Sequence, residues 1–227
     1  GREAADQVPY AHLDRLIAEI KIISVVERDF GFSSVVLDRP IVHIIVYPDG
    51  ATNQPEPKIS LDNGKTPVED LFSLSISHLE VRHGMLLWND RKLPLDFEVS
   101  DLASDMTYSL LHRRYDGNLL LGKVNTQYND SSPLAWTAEL HFSLERNALQ
   151  IKSVKATSGH SRFQGSGQIS NFVEPVISGA YGATLDMAEM AAITRRNESV
   201  AGIVEINGKG SWSAEQFSAS GRLIGKG

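Results

Sequence analysis

The side chains able to do acid–base, nucleophilic or metal chemistry are scattered along this chain. Its seven histidines stand at positions 12, 43, 78, 83, 112, 141 and 160. None begins an H-x-x-x-H or H-E-x-x-H run, so the helical zinc-protease arrangement is missing. His43 and His141 fall within alternating apolar–polar runs, where a surface or half-buried strand position accounts for them. No G-x-S-x-G elbow presents a serine nucleophile, although a Ser-His-Asp triad can be assembled from distant residues and spacing alone leaves it open. The chain has no cysteine, which removes disulfides, thiolate nucleophiles and cysteine-based zinc sites. Carboxylate pairs at Glu69/Asp70 and Asp186/Glu189 coincide with helix-start signals, where acids complement the helix dipole. Asp49-Gly50 with Asn53 looks like a fragment of a calcium loop but lacks the spaced ligands and closing Glu of an EF-hand. It reads instead as a turn held by a side-chain hydrogen bond. Gly165-Ser166-Gly167 has neither the following helix nor the lysine of a phosphate loop. Nothing here argues for an enzyme, a metal or a cofactor.

The elements that carry these residues are strands. The clearest run alternates Leu134, Trp136, Ala138, Leu140, Phe142 and Leu144 with Ala135, Thr137, Glu139, His141, Ser143 and Glu145. Alternate side chains of a strand point to opposite faces, so this run has one apolar and one wet face. At about 3.3 Å per residue it extends roughly 36 Å, against a usual strand of about 5–6 residues. Leu93, Leu95, Phe97 and Val99 alternate likewise, as do Leu119 and Leu121. Leu74 and Ile76 alternate before the phase slips to Leu79 and Val81, which predicts a bulge near Ser77-His78. Pro40 inside the β-branched segment 35–47 predicts an edge strand or a break in the ladder. Asp49-Gly50, Asn63-Gly64, His83-Gly84, Asp116-Gly117 and Asn207-Gly208 are turn dipeptides that tolerate positive φ.

These signals predict a long antiparallel meander with strands at 10–23, 33–47, 73–82, 85–89, 93–108, 115–127, 134–145, 148–157, 160–171, 175–184, 200–213 and 216–225. Three short helices are predicted to interrupt it. Ser24 and Glu27 form a capping box with Gly31 as the stop. Thr66, Pro67 and Glu69 mark a second start. Asp186 and Glu189 mark a third, with Leu185 placed to staple onto Met190. The last third is loosely self-similar: Phe163 and Gly165-Ser166-Gly167 precede Ile169, Ile206 and Gly208-Lys209-Gly210 precede Trp212, and Phe217 and Gly221 precede Leu223. Such repetition suits a stacked β architecture.

Composition is that of an ordinary globular chain: 227 residues, 41% hydrophobic and 22% charged. A net charge of −6, with basic residues scattered, argues against a nucleic-acid footprint. The longest apolar stretch, Ile41 to Tyr47, is strand-sized and far short of the ~20 residues that span a bilayer. With Gly rather than Met at position 1 and no leader in view, the sequence reads as an excised or processed piece whose targeting segment lies upstream.

The informative feature is therefore a surface. A long sheet with one apolar face must cover it with a second sheet, close into a barrel, or leave it as a groove for an apolar guest. Periodicity alone leaves all three open.

One stretch bears on that choice. Leu37-Asp38-Arg39-Pro40, the run Ile41 to Val46, and Pro48-Asp49-Gly50-Ala51-Thr52-Asn53 resemble the N-terminal signature of the AsmA/TamB family, with Pro40, Asp49, Gly50 and Asn53 as its turn residues. Leu74 to Gly84 resembles that family's strand–turn unit. The resemblance implies a curved, repeating, taco-like β-groove, with residues 1–57 as an N-terminal strand–helix–strand unit and 58–227 as a groove segment continuous with it. It implies a periplasmic protein anchored in the bacterial inner membrane through an upstream segment. The implied role is phospholipid transport and outer-membrane biogenesis without catalysis. Phospholipid acyl chains are the expected partners, with an outer-membrane barrel protein as a second. The expected groove lining is the alternating apolar set Ile76, Leu95, Phe97, Leu119, Leu121, Trp136, Leu140 and Phe142. The rival expectations are a scaffold that pairs its strand edges with outer-membrane proteins, and a self-covered β-sandwich binding module.

Overall fold

Eleven strands lie in one sheet in the order of the sequence, and the sheet is long, curved and unclosed. This computed structural model describes residues 10–24, 29–54, 67–193 and 201–227. The strands are β1 (Ala11–Ser24), β2 (Asp29–Val46), β3 (Ile76–Asp90), β4 (Leu95–Ser109), β5 (Arg114–Tyr128), β6 (Leu134–Glu145), β7 (Ala148–Ser158), β8 (Ser161–Ser170), β9 (Val176–Asp186), β10 (Ile203–Trp212) and β11 (Phe217–Lys226). Helix α1 (Pro67–Ser73) precedes β3 and α2 (Met187–Ile193) follows β9. No helix among the described residues is long and apolar enough to cross a membrane.

The mostly-β meander is as the periodicity predicts, with corrections. Of the expected turn dipeptides, Asp116-Gly117 lies inside β5 and Asn207-Gly208 inside β10, while Asn63-Gly64 lies outside the described residues. Four further differences concern pairing, helices and strand breaks. First, β2 and β3 run parallel, because the connection between them carries α1 and returns the chain to its starting end. Second, two helices are described rather than three. Ser24 pairs with Asp29, and Phe30 and Gly31 also lie in β2, so the helix expected from Ser24 does not reach its Gly31 stop; positions 25–28 lie outside the described residues. Third, the segments 73–82 and 85–89 form the single strand β3. His83-Gly84 is not a turn but a bulge, with His83 at φ 51° and the register shifting on both sides of Gly84. That shift, not one at Ser77-His78, is the β3–β4 irregularity. Fourth, Pro40 lies not at an edge but in an interior strand between β1 and β3. The break in the ladder, the other outcome that the proline predicts, is present: with Arg39 at φ 53°, pairing to β3 jumps from Asp38 to Ile41.

These irregularities line up across the sheet. Arg39-Pro40 of β2 faces His83-Gly84 of β3, and Gly84 pairs with Leu102 beside Asp101, which has φ 55°. Asp101 in turn faces Gly122, where β5 slips against β6. A bulge bends its strand and sharpens its twist, so a row of bulges curves the sheet about an axis that crosses the strands. From β8 to β11 the ladders show no register shift.

The tightest packing sits on one face between β4 and β6. Val99, Tyr115 and Val124 are buried to 1% exposure or less. Phe72 of α1 covers this end, with its ring 5.1 Å from Tyr115 and 6.0 Å from Tyr108. The Arg146 guanidinium stands 5.1 Å over Phe72. The Tyr115 hydroxyl donates to the Ile76 carbonyl at 2.8 Å, and burial, with the Tyr108 ring beside it, pushes its pKa up to about 12. The opposite face is polar. Lys152 and Ser143 donate to Asp116, and Arg114 reaches its other oxygen. Those donors, Lys152 foremost, hold the carboxyl well below the usual carboxylate range.

Candidate functional site

Cross-strand pairing fixes which side chains share a face. Leu95 pairs with Tyr128, Phe97 with Thr126, Leu119 with Leu140, Leu121 with Ala138, Trp136 with Val124 and Phe142 with Gly117. Seven of the eight expected lining residues therefore stand on one face of β4–β6, the face that packs on α1. Leu120 pairs with Glu139 on the polar face, so Leu121 is the inward one of the two. Leu95, Phe97, Leu119, Leu121, Trp136 and Leu140 are half-buried. Phe97 and Trp136 lean together with centroids 6.0 Å apart, and Trp136 Nε1 donates to Thr126 at 2.9 Å. Phe142, 8% exposed, and Ile76, 4% exposed, are buried. These two are core rather than open lining: Phe142 lies over Gly117, whose missing side chain makes room for the ring, and Ile76 lies where α1 joins β3.

The same face continues across β7 to β11, and there it opens. Four rows run across the strands in register. Phe163, Ala183, Ile206 and Leu223 form one, and Ile169, Ile177, Trp212 and Phe217 form another. Between these two apolar rows lie Gly165, Tyr181, Gly208 and Gly221, then Gly167, Gly179, Gly210 and Ala219. The result is a trough with apolar walls and a floor made largely of backbone. Of the floor residues only Tyr181 is large, and its ring covers Gly208. Close approach requires the glycines: a Cβ on Gly179 would meet the Ser166 carbonyl oxygen at 2.6 Å. Phe163, Ile177, Trp212, Phe217 and Leu223 are exposed, so the walls stand bare.

Sequence reasoning missed this half of the site. Its signal was the large–x–Gly–x–Gly–x–large spacing of β8 and β10, read as a repeat without the register that makes it a trough. In β7 and β6 the floor is filled, because Val154 and Ile151 oppose Gly165 and Gly167 and in turn face Leu140 and Phe142. All strands belong to one sheet, so no second sheet covers the apolar face among the described residues.

Helix α2 leans over one margin of this trough. Asp186 caps it, accepting from the Ala188 and Glu189 N–H groups at 2.9 and 3.2 Å. Glu189 does not reach back in a capping box. Its carboxylate accepts from His160 N–H, Ser161 N–H and Ser161 Oγ at 2.6, 3.1 and 2.7 Å, and these contacts, the His160 N–H first, hold its pKa below the usual carboxylate range. At the other end the Ile193 carbonyl accepts from Ser132 N–H at 3.0 Å. So α2 is tied to the β7–β8 turn and the β5–β6 loop and runs along the strand ends between them.

Asp49, Gly50 and Asn53, which carry the resemblance, hold a turn and its pairing to β2. Asp49 Oδ1 accepts from Ala51 N–H at 2.9 Å, and Gly50 takes φ 88°. Asn53 acts as a short strand, donating to the His43 carbonyl and accepting from Ile45 N–H, both at 2.8 Å. These bonds occupy β2 where β1 has ended. Among the described residues no group of histidines and carboxylates could hold a metal ion. Comparison with protein-family models, curated proteins and solved structures gives no match.

Proposed function

We propose that the apolar trough holds the acyl chains of phospholipids. In this reading the chain is a lipid-carrying segment of the AsmA/TamB type, working without catalysis in the periplasm as part of an inner-membrane-anchored protein. The observation that carries the reading is the set of large apolar side chains left bare on one face of β8–β11: Phe163, Ile177, Trp212, Phe217 and Leu223. Contiguous apolar surface of this kind marks a ligand or partner site. Hydrocarbon fits it because each methylene withdrawn from water contributes about 0.8 kcal/mol. The floor offers a single side-chain polar group, the Tyr181 hydroxyl over Gly208, so little in it would select one lipid over another. The polar outer face keeps the sheet in water while the inner face carries the guest.

Paired substitutions on β10 test this. Trp212→Glu, at a bare wall position, should lower phospholipid capture from vesicles several-fold, measured on detergent-free protein. Lys209→Gln, on the polar face of the same strand, should leave it unchanged. Equal capture by wild type and Trp212→Glu would remove the trough from the account.

A second reading, a scaffold that pairs strand edges with outer-membrane proteins, is favoured by one observation. All ten residues of β11 are exposed, and its outer edge pairs with no strand among the described residues. Val42 does not offer such an edge, since β2 is flanked on both sides. Crosslinks from β11 to a barrel protein, in the absence of lipid capture, would favour this reading over the first.

A further inference from the structure

Beneath α2 the trough deepens into a hollow of about 260 Å³ walled by Leu134, Trp136, Phe163, Ala183, Leu185 and Met190. We infer that this hollow receives the methyl end of an acyl chain, so that α2 acts as an end stop for a chain lying in the trough. The inference rests on the lipid-carrying reading above and adds where the chain ends and which end it is.

Three observations carry it. The first is chemistry. The polar side chains in the wall are already engaged: Trp136 Nε1 with Thr126, Thr157 with Thr137, Ser158 with the Ala135 carbonyl, and Ser161 with Glu189. Arg162, the one charged side chain of the wall, pairs across the sheet with Thr184, on the opposite face of β8 from Phe163. A phosphate or glycerol group entering here would lose its water partners, and among the wall side chains only Arg162, which leaves β8 on the other face, is not already engaged; each bond left unmade costs about 1–3 kcal/mol. A hydrocarbon end meets no such cost.

The second is size. Whole-ligand sites run from about 300 to 1,000 Å³, and a dry apolar cavity of roughly 150 Å³ admits one benzene. A hollow of about 260 Å³ holds a chain end rather than a lipid. The third is rigidity. The roof is fixed at both ends, by Glu189 on the β7–β8 turn and by Ser132 on the Ile193 carbonyl. A fixed roof sets a length limit.

The test uses Trp136 as the reporter. The protein has three tryptophans, so Trp88→Phe with Trp212→Phe leaves Trp136 alone. Vesicles of phosphatidylglycerol brominated near the acyl terminus, or near the carboxyl end, supply a positioned quencher. The terminal bromine should cause the larger loss of Trp136 emission. In parallel, Ala183→Phe fills the hollow and should shift the lipids seen by native mass spectrometry toward shorter chains; an unchanged chain-length distribution on a folded variant would count against the end stop. If lipid binds but the carboxyl-end bromine quenches as much or more, the end stop is wrong and the trough reading stands. If no lipid binds to the wild-type protein, both fall. The bromine comparison stands independently of whether Ala183→Phe folds.

Discussion

The two halves of the sheet shape the same apolar face by different means. From β2 to β7 the strands are bulged, and bulky side chains fill the floor around Val99, Tyr115 and Val124. From β8 to β11 the ladders are regular, glycines replace the floor, and the large side chains stand bare in two rows. The first half spends its apolar surface on its own stability. The second has little core of its own and depends on continuity with the first. Bare side chains also occur on β1, at Leu13, Leu16, Ile17 and Ile20; what sets β8–β11 apart is that its bare residues form two rows in register around a glycine floor.

The sharpest way to break this comparison is to truncate one aromatic in each half. Phe72→Ala removes the ring that covers Tyr108 and Tyr115, and should cost about 3–5 kcal/mol in urea unfolding. Phe217→Ala, at an exposed wall position, should stay within about 0.5 kcal/mol. Equal losses would mean that the second half has a core after all.

Adding a methyl sharpens it further. A Cβ at Gly117 would lie 2.7 Å from the Asp105 carbonyl oxygen and 3.0 Å from Phe142, so Gly117→Ala should cost about 1–3 kcal/mol. Gly179→Ala, facing the Ser166 carbonyl oxygen, should cost a similar amount, since the glycine floor is close-built even where it is open. Gly225→Ala meets nothing within 4 Å and should be neutral to within about 0.5 kcal/mol. Thermal melts of the three variants check the order.

The smallest effect is electrostatic and belongs to the first half. Asp116 has its folded pKa depressed by Lys152, Ser143 and Arg114. Its contribution is therefore present above the unfolded value of about 3.9 and lost as pH falls toward the folded value. Asp116→Asn should cost about 1 kcal/mol at neutral pH, discounted for the partial exposure of the cluster. Because the variant's amide does not titrate, the difference from wild type should shrink below about pH 4.

How much of this was legible in the sequence follows from the range of the interactions involved. The unbroken alternation of β6 fixed its faces without any partner, because a strand's own period is local. It placed Trp136, Leu140 and Phe142 on one face. The Asp186 cap of α2 was legible for the same reason. The parallel pairing of β2 with β3 was not, since a strand's alternation reads the same in either direction. Nor was the burial of Phe142, which depends on Gly117 of the neighbouring strand, or that of Ser143, which sits on the polar face and is satisfied by Asp116. The trough itself needed register: Gly165, Tyr181, Gly208 and Gly221 are far apart in sequence and become one row only when four strands align.

The most direct measurement is photocrosslinking with phospholipids that carry a diazirine in the acyl chain, mapped by peptide mass spectrometry. The account predicts adducts on the trough face of β8–β11, at Phe163, Tyr181, Ile206 and Trp212, and few on the intervening positions such as Gln164 and Lys209. Adducts spread evenly over both faces, or confined to the strand edges, would contradict it.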